Sequence, residues 1–171
     1  DVLAMRIDQS TKLAATTFLR CLDESVASTD AILSLFYEVS DIKATDAKPE
    51  HWAAESIIDK ETGEELVHVG RQLGDQAAAI LKSNLKTIRV IQNPSDVLIL
   101  NTVAEERLEQ FEAQNEYERA LLKVYSKLRP GNPPQVEKAR QLFAEKFFDD
   151  NRYRLGRVGR FRINRKFDLN T

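Results

Sequence analysis

Residues 56–69 read SIIDKETGEELVHV. Two short β-prone runs, Ser56–Ile58 and Glu65–Val69, flank Asp59-Lys60-Glu61-Thr62-Gly63. That spacing predicts a hairpin in which Gly63 takes a positive φ. Further along, Lys86–Ile91 (KTIRVI) is the richest β-branched run in the chain and predicts a strand. Asn93-Pro94 closes it, because proline has no N–H to donate to a ladder. Val97–Leu100 is expected to add another strand, and Asp75–Ser83, with three alanines, Ile80 and Leu81, a short helix. The middle of the chain is thus the strand-bearing part.

Both flanks read as helical. Leu3–Asp8 alternates like a short strand, after which Ser10 or Thr11 offers a cap for a helix near 11–22 bearing Ala15, Phe18, Leu19 and Leu22 on one stripe. Ser28 or Thr29 caps a second helix near 29–39, with Ile32, Leu35, Phe36 and Val39 at its buried face. Residues 41–50 are polar, include Pro49, and read as a loop. Glu105–Gln114 is strongly acidic and fits either a helix or an exposed linker. Tyr117, Leu121, Val124 and Leu128 predict a helix near 115–128; Arg129-Pro130-Gly131-Asn132-Pro133-Pro134 is the sharpest break; Val136, Ala139, Phe143 and Phe147 predict a last helix near 134–147. Strands in the centre with helices on either side make an α+β fold, several helices packed on a small sheet and hairpin region, in one domain spanning 1–171.

The totals agree with that class. At 171 residues, 42% hydrophobic and 30% charged, the chain suits one globular domain with a real core. No run of about 20 apolar residues is present to span a bilayer, and no secretory signal pattern opens the sequence. A start at Asp1 is expected of a chain that was processed or cut from a longer one. The lone Cys21 fits a reducing compartment and a small buried hydrophobe.

Enzymatic constellations are thin. His51 and His68 have no metal-ligand partner at useful spacing, and no cysteine pair exists for zinc. Nothing positions Cys21 beside a base. Gly156-Arg157-Val158-Gly159 lacks the spacing of a phosphate-cradling loop. The acid pair Glu105-Glu106 reads as the charged outer face of a solvated helix, and Trp52 as a packing anchor.

What stands out chemically is the end, Asn151–Thr171, NRYRLGRVGRFRINRKFDLNT. Arg152, Arg154, Arg157, Arg160, Arg162, Arg165 and Lys166 oppose one acid, Asp168, so seven positive charges less one negative leave +6. The whole chain is −2, so residues 1–150 sum to −8. Arginine binds phosphate through a planar fork of donors, and an interleaving of Leu155, Val158, Phe161 and Ile163 implies a folded element with a basic flank. Two readings fit: this element meets a polyanion, or it docks on an acidic surface, its own or a partner's. On charge alone a free-standing nucleic-acid-binding protein and a protein-interaction module both fit.

A longer pattern adds to this. Leu128-Arg129-Pro130-Gly131-Asn132-Pro133-Pro134, then Ala139–Phe148 (ARQLFAEKFF), then Asn151-Arg152-Tyr153, then Val158-Gly159-Arg160-Phe161-Arg162-Ile163-Asn164-Arg165-Lys166 closely resembles the β subunit of bacterial-type multisubunit RNA polymerase. Near the start, Arg6-Ile7-Asp8, Lys12-Leu13 and Leu19-Arg20 resemble the same family's run of RID, KL and LR. The resemblance implies the lobe, the second domain of a subunit several times longer, which forms a wall of the downstream DNA channel. It implies a role in DNA-directed RNA synthesis that is electrostatic and steric rather than catalytic. Magnesium in the whole enzyme would be held elsewhere, mainly by the β′ subunit, with no cofactor in this chain. The partners implied are α, β′, ω, sigma and the rest of β, together with double-stranded and nontemplate DNA, in a cytoplasmic, nucleoid-associated or organellar setting and not at a membrane. Candidate DNA-contact residues are Arg6, Asp8, Lys12, Arg152, Arg154, Arg157, Arg160, Arg162, Arg165 and Lys166; Arg160 and Arg165 are also candidates for packing against neighbouring β domains. Two departures bear on this set. Gln9-Ser10-Thr11 stands where the family is usually basic, and Arg154 stands where it commonly has aspartate.

Overall fold

A computed structural model describes residues 1–148; the basic run from Asn151 lies outside the described residues. The chain opens with a hairpin, β1 (Ala4–Arg6) against β2 (Lys12–Ala14), and passes directly into α1 (Ala15–Leu22). α2 (Thr29–Phe36) leads to β3 (Ser40–Lys43), β4 (Trp52–Ala53) and the small hairpin β5 (Ile57–Ile58) and β6 (Glu65–Val67). Then come α3 (Gln76–Lys82), β7 (Thr87–Ile91), α4 (Leu98–Glu105), α5 (Glu116–Leu128) and α6 (Val136–Phe143), which runs on into a π-helical turn, Ala144–Phe148. The α+β class holds. β7 is the centre of a three-stranded antiparallel sheet ordered β3-β7-β4, as its β-branched content favours.

Three apolar clusters form the interior. One joins the inner face of the first hairpin (Ile7, Leu13) to α1, α5 and α6. Another packs α3 against the small strands through Ala53, Ile57, Val67, Ile80, Ile88 and Val90. A third joins α2 to α4 through Ile32, Leu33, Ile99, Leu100 and Val103, with Trp52 against its side. The aromatic residues after the proline-rich break bind the last helix to the first: Phe147 meets Phe18 edge-on at 5.2 Å, and Phe143 lies 5.7 Å from Phe18.

Several boundaries differ from the sequence reading, each for a local reason. α1 does not start at Ser10 or Thr11. Asp8 Oδ1 accepts the Ser10 and Thr11 amides at 2.9 and 2.8 Å, closing the hairpin turn, and Lys12–Ala14 is then taken as a strand. α2 starts at the Ser28 cap as expected, with Ser28 Oγ accepting from the Ala31 amide at 3.1 Å, but stops at Phe36. Within the expected loop, Ser40–Lys43 pairs with β7 instead. Val97–Leu100 is not a strand. Asp96 Oδ1 accepts the Leu98 amide at 2.6 Å, and Ile99, Leu100 and Val103 line the buried face of α4. A four-residue apolar run cannot by itself distinguish strand from helix. α6 begins at Val136 rather than 134 and ends at Phe143, the π turn covering the remainder.

Two glycines matter. Gly63 has φ +74° in the predicted hairpin turn. Gly70 has φ +83° and lies so close to α4 that a Cβ there would sit 2.3 Å from the Leu100 carbonyl oxygen. Gly70→Ala is therefore expected to lose about 2–4 kcal/mol by combining a left-handed strain with overpacking, read as a shift in the urea midpoint; an unchanged midpoint would refute the close approach.

His51 is buried, and its Nδ1 accepts the Lys48 amide at 3.3 Å. Burial, followed by Lys48, pushes its pKa below the ordinary histidine value, while Glu50 opposes. The unfolded chain therefore takes up a proton at a higher pH than the folded one. The resulting stability is complete above the unfolded pKa and is lost as pH falls through the interval down to the folded value. Stability should fall as pH drops below the ordinary histidine pKa of about 6.5 more steeply than in His51→Gln.

Candidate functional site

The first hairpin carries Arg6, Asp8 and Lys12. Alternation along each strand sends Met5, Ile7 and Leu13 inward, leaving Ala4, Arg6, Lys12 and Ala14 on the outer face. Arg6 stands directly opposite Lys12, and Ala4 opposite Ala14. Both cations are exposed, and neither has an ion-pair partner among the described residues. Asp8 does a different job. Its carboxylate closes the turn, and the Ser10 amide first, then Thr11, hold its pKa below the ordinary aspartate value, with Lys146 adding to this. The hairpin and the π turn belong to one apolar cluster through Ile7 and Phe147. Arg152, Arg154, Arg157, Arg160, Arg162, Arg165 and Lys166 lie outside the described residues.

Beneath the hairpin is a feature that sequence reasoning misread. Glu106 is not on a solvated face; it is 3% exposed and sits against Arg20, itself 1% exposed. Arg20 Nε and Nη2 donate to the two Glu106 carboxylate oxygens at 3.0 and 2.9 Å, a two-point fork. Thr16 and Thr17 hydroxyls donate to the same carboxylate at 2.7 and 2.8 Å. Arg20 Nη1 donates to the Ala27 carbonyl at 2.9 Å and to Glu116 Oε2, which also accepts the Thr29 amide and hydroxyl. Lys123 Nζ donates to the Glu106 carbonyl. Glu106 ends α4 in helical conformation, three residues after Val103 and seven after Ile99 and so on the same buried face, and Arg107, with φ +55°, breaks the helix just after it. No spacing rule pairs residues 86 apart, so the pairing was invisible in the sequence. Arg20 itself was in view only as part of the LR pair.

Cys21, 2% exposed, has its thiol pKa pushed far up by burial first and Glu106 second. It stays protonated and is unsuited to nucleophilic work. The described residues hold no group of three or more histidine, cysteine or acidic side chains arranged to bind a metal. No described helix is long and apolar enough to cross a membrane. What the arrangement supplies is a rigid base carrying outward-facing cations.

Comparison with known proteins fits that geometry. Residues 85–171, half of the chain, match the family model described as RNA polymerase Rpb2, domain 2. Over 99% of its length the chain is 41% identical to the DNA-directed RNA polymerase subunit beta of Rhodopirellula baltica, covering 14% of that protein. It is 32% identical to the subunit of the same name from Porphyromonas gingivalis, covering 15% of it, and 28% identical to that from Leptospira biflexa, covering 14%. The fold and the outward cations define a mixed α+β lobe. The chain belongs to the RNA polymerase Rpb2 domain 2 family, and its likeness runs to bacterial β subunits across nearly its whole length.

Removing one member of a buried ion pair strands the other. Arg20→Met and Glu106→Leu are each expected to cost about 3–5 kcal/mol in chemical denaturation, and the double variant less than the sum of the two. Additive losses would show that the two residues act independently.

Proposed function

We propose that this chain is a lobe of the β subunit of a DNA-directed RNA polymerase and acts as a wall of the downstream DNA channel. The observation that carries this is the likeness to proteins named DNA-directed RNA polymerase subunit beta over 99% of the chain. The chain spans only about one seventh of those relatives (14% in the first case), so nucleotide addition belongs to other parts of the assembly. Magnesium is held there, and the α, β′, ω and sigma subunits with the rest of β are the protein partners.

Within the lobe, Arg6 and Lys12 on the hairpin and the arginines from 152 to 165 with Lys166 supply positive charge toward DNA. Contacts of this kind go to phosphates and carry no sequence information. Asp8 contributes by fixing the turn that displays Arg6 and Lys12. A protein-interaction reading, in which the basic end meets only an acidic partner, differs in one observable: it gives no affinity for duplex DNA.

The isolated chain should bind duplex DNA with a Kd of about 10⁻⁴–10⁻⁶ M near physiological salt, without sequence preference. Fluorescence anisotropy across a salt series should give a log–log line of negative slope. Binding that ignores salt would reject the proposal, as would RNA synthesis by the chain alone.

A further inference from the structure

A cleft of about 190 Å³ lies between the outer face of the first hairpin and α5. Ala4 and Ala14 give it a low floor, since neither side chain extends beyond Cβ; Lys12 stands on one side, Lys123 and Lys127 on the other, and Thr102 adds a hydroxyl-bearing residue to the lining. We propose that this cleft is a binding site for a phosphate oxyanion. This deepens the DNA-facing reading, on which it rests for the phosphate's macromolecular source.

The chief argument is that the local charges repel one another. Arg6 faces Lys12 directly across the hairpin, where like charges destabilise the pair. Lys123 and Lys127 are one helical turn apart on α5, a spacing at which like charges also repel. Arg119 precedes Lys123 by the same step, and its Nε is buried without a hydrogen-bond partner among the described residues. Arg107, held in a left-handed conformation, adds a further cation near Lys123. Of these cations, Lys12, Lys123 and Lys127 line the cleft, and an anion seated there would relieve the repulsion among them.

The acidic residues nearby, Glu105 and Glu106 in the lining and Glu109 near Lys123, offset this only in part. Glu106 borders the cleft, but its carboxylate is occupied by Arg20, Thr16 and Thr17, and only its carbonyl reaches Lys123. Glu105 lies 3.7 Å from Arg71. Lys123 is half-buried, and burial lowers its pKa; Lys127 and Arg107 act in the same sense, against Glu106 and Glu109. A phosphate within hydrogen-bond reach would oppose that lowering, and three ammonium groups around one small cleft suit the three outward oxygens of such a group.

The test is an NMR titration of the full 171-residue chain with inorganic phosphate, ionic strength being held constant with chloride. Saturable shifts should appear at Ala4, Lys12, Ala14 and residues 123–127. Lys12→Gln and Lys127→Gln alter exposed side chains and should fold normally, yet each should weaken phosphate binding about fivefold or more, while Glu105→Gln should strengthen it. A short DNA duplex that competes with phosphate at these amides makes the nucleic-acid backbone the source. A duplex that binds elsewhere, with phosphate still saturating the cleft, supports the site and makes a free phosphate its ligand. Equal binding by wild type, Lys12→Gln and Lys127→Gln, or equal shifts from phosphate and chloride, would overturn the proposal. Because the phosphate arm contains no DNA, failure there is separable from failure of duplex binding.

Discussion

The Arg20–Glu106 pair is the constraint around which the lobe is arranged. A guanidinium and a carboxylate taken out of water are tolerated only when nearly every donor and acceptor is satisfied. The partners that satisfy them come from α1 (Thr16, Thr17), the turn before α2 (Ala27, Thr29), the end of α4 (Glu106) and the start of α5 (Glu116). None of these elements can slide by a residue without leaving a buried charge exposed to an apolar wall. Apolar packing alone would tolerate more slippage, because it is not directional. The network therefore fixes register, while the three clusters around it supply most of the burial.

The same fixation reaches the surface. β2 runs without a break into α1, so Lys12 and Arg20 are carried by one rigid piece of chain, one facing out and the other in. Lys123 ties the α5 wall of the cleft to the Glu106 carbonyl. Arg89 makes a useful contrast. It bonds Asp30 and Asp41 at 2.7–3.1 Å, but those carboxylates are more than half exposed, and water competes for the interaction. Such a pair contributes little to stability whatever its distances.

Features governed by local chemistry were legible in the sequence. The Ser28 cap, the Gly63 turn, the β-branched run at β7 and the amphipathic stripe of α5 depend on neighbours a few residues away, and each lies where it was expected. Features settled by distant partners were not. Ser40–Lys43 is polar and reads as loop; it becomes a strand because β7 offers an edge. Val97–Leu100 reads as a strand, but the Leu98 amide bonded to Asp96 and the packing of Ile99 and Leu100 against α2 decide for helix. Glu106 looked like one more acid in an acidic stretch, and only the fold reveals the arginine that faces it. Of the candidate DNA contacts, Arg6 and Lys12 were recognisable from the resemblance, whereas the α5 lysines were not, because their relation to the hairpin exists only in three dimensions.

The two sets of charges also respond differently to the medium, and this bears on how such a wall can work. Exposed cations are screened over a Debye length of about 8 Å at physiological ionic strength, so their hold on phosphates changes readily with salt. A buried, fully hydrogen-bonded pair is screened far less. Arg20 and Glu106 therefore preserve the shape of the lobe at salt concentrations that screen the exposed Arg6 and Lys12. The strongest ionic interaction lies inside, and the exposed Arg6 and Lys12 have no ion-pair partner among the described residues, so the stability of the fold does not rest on those outer charges.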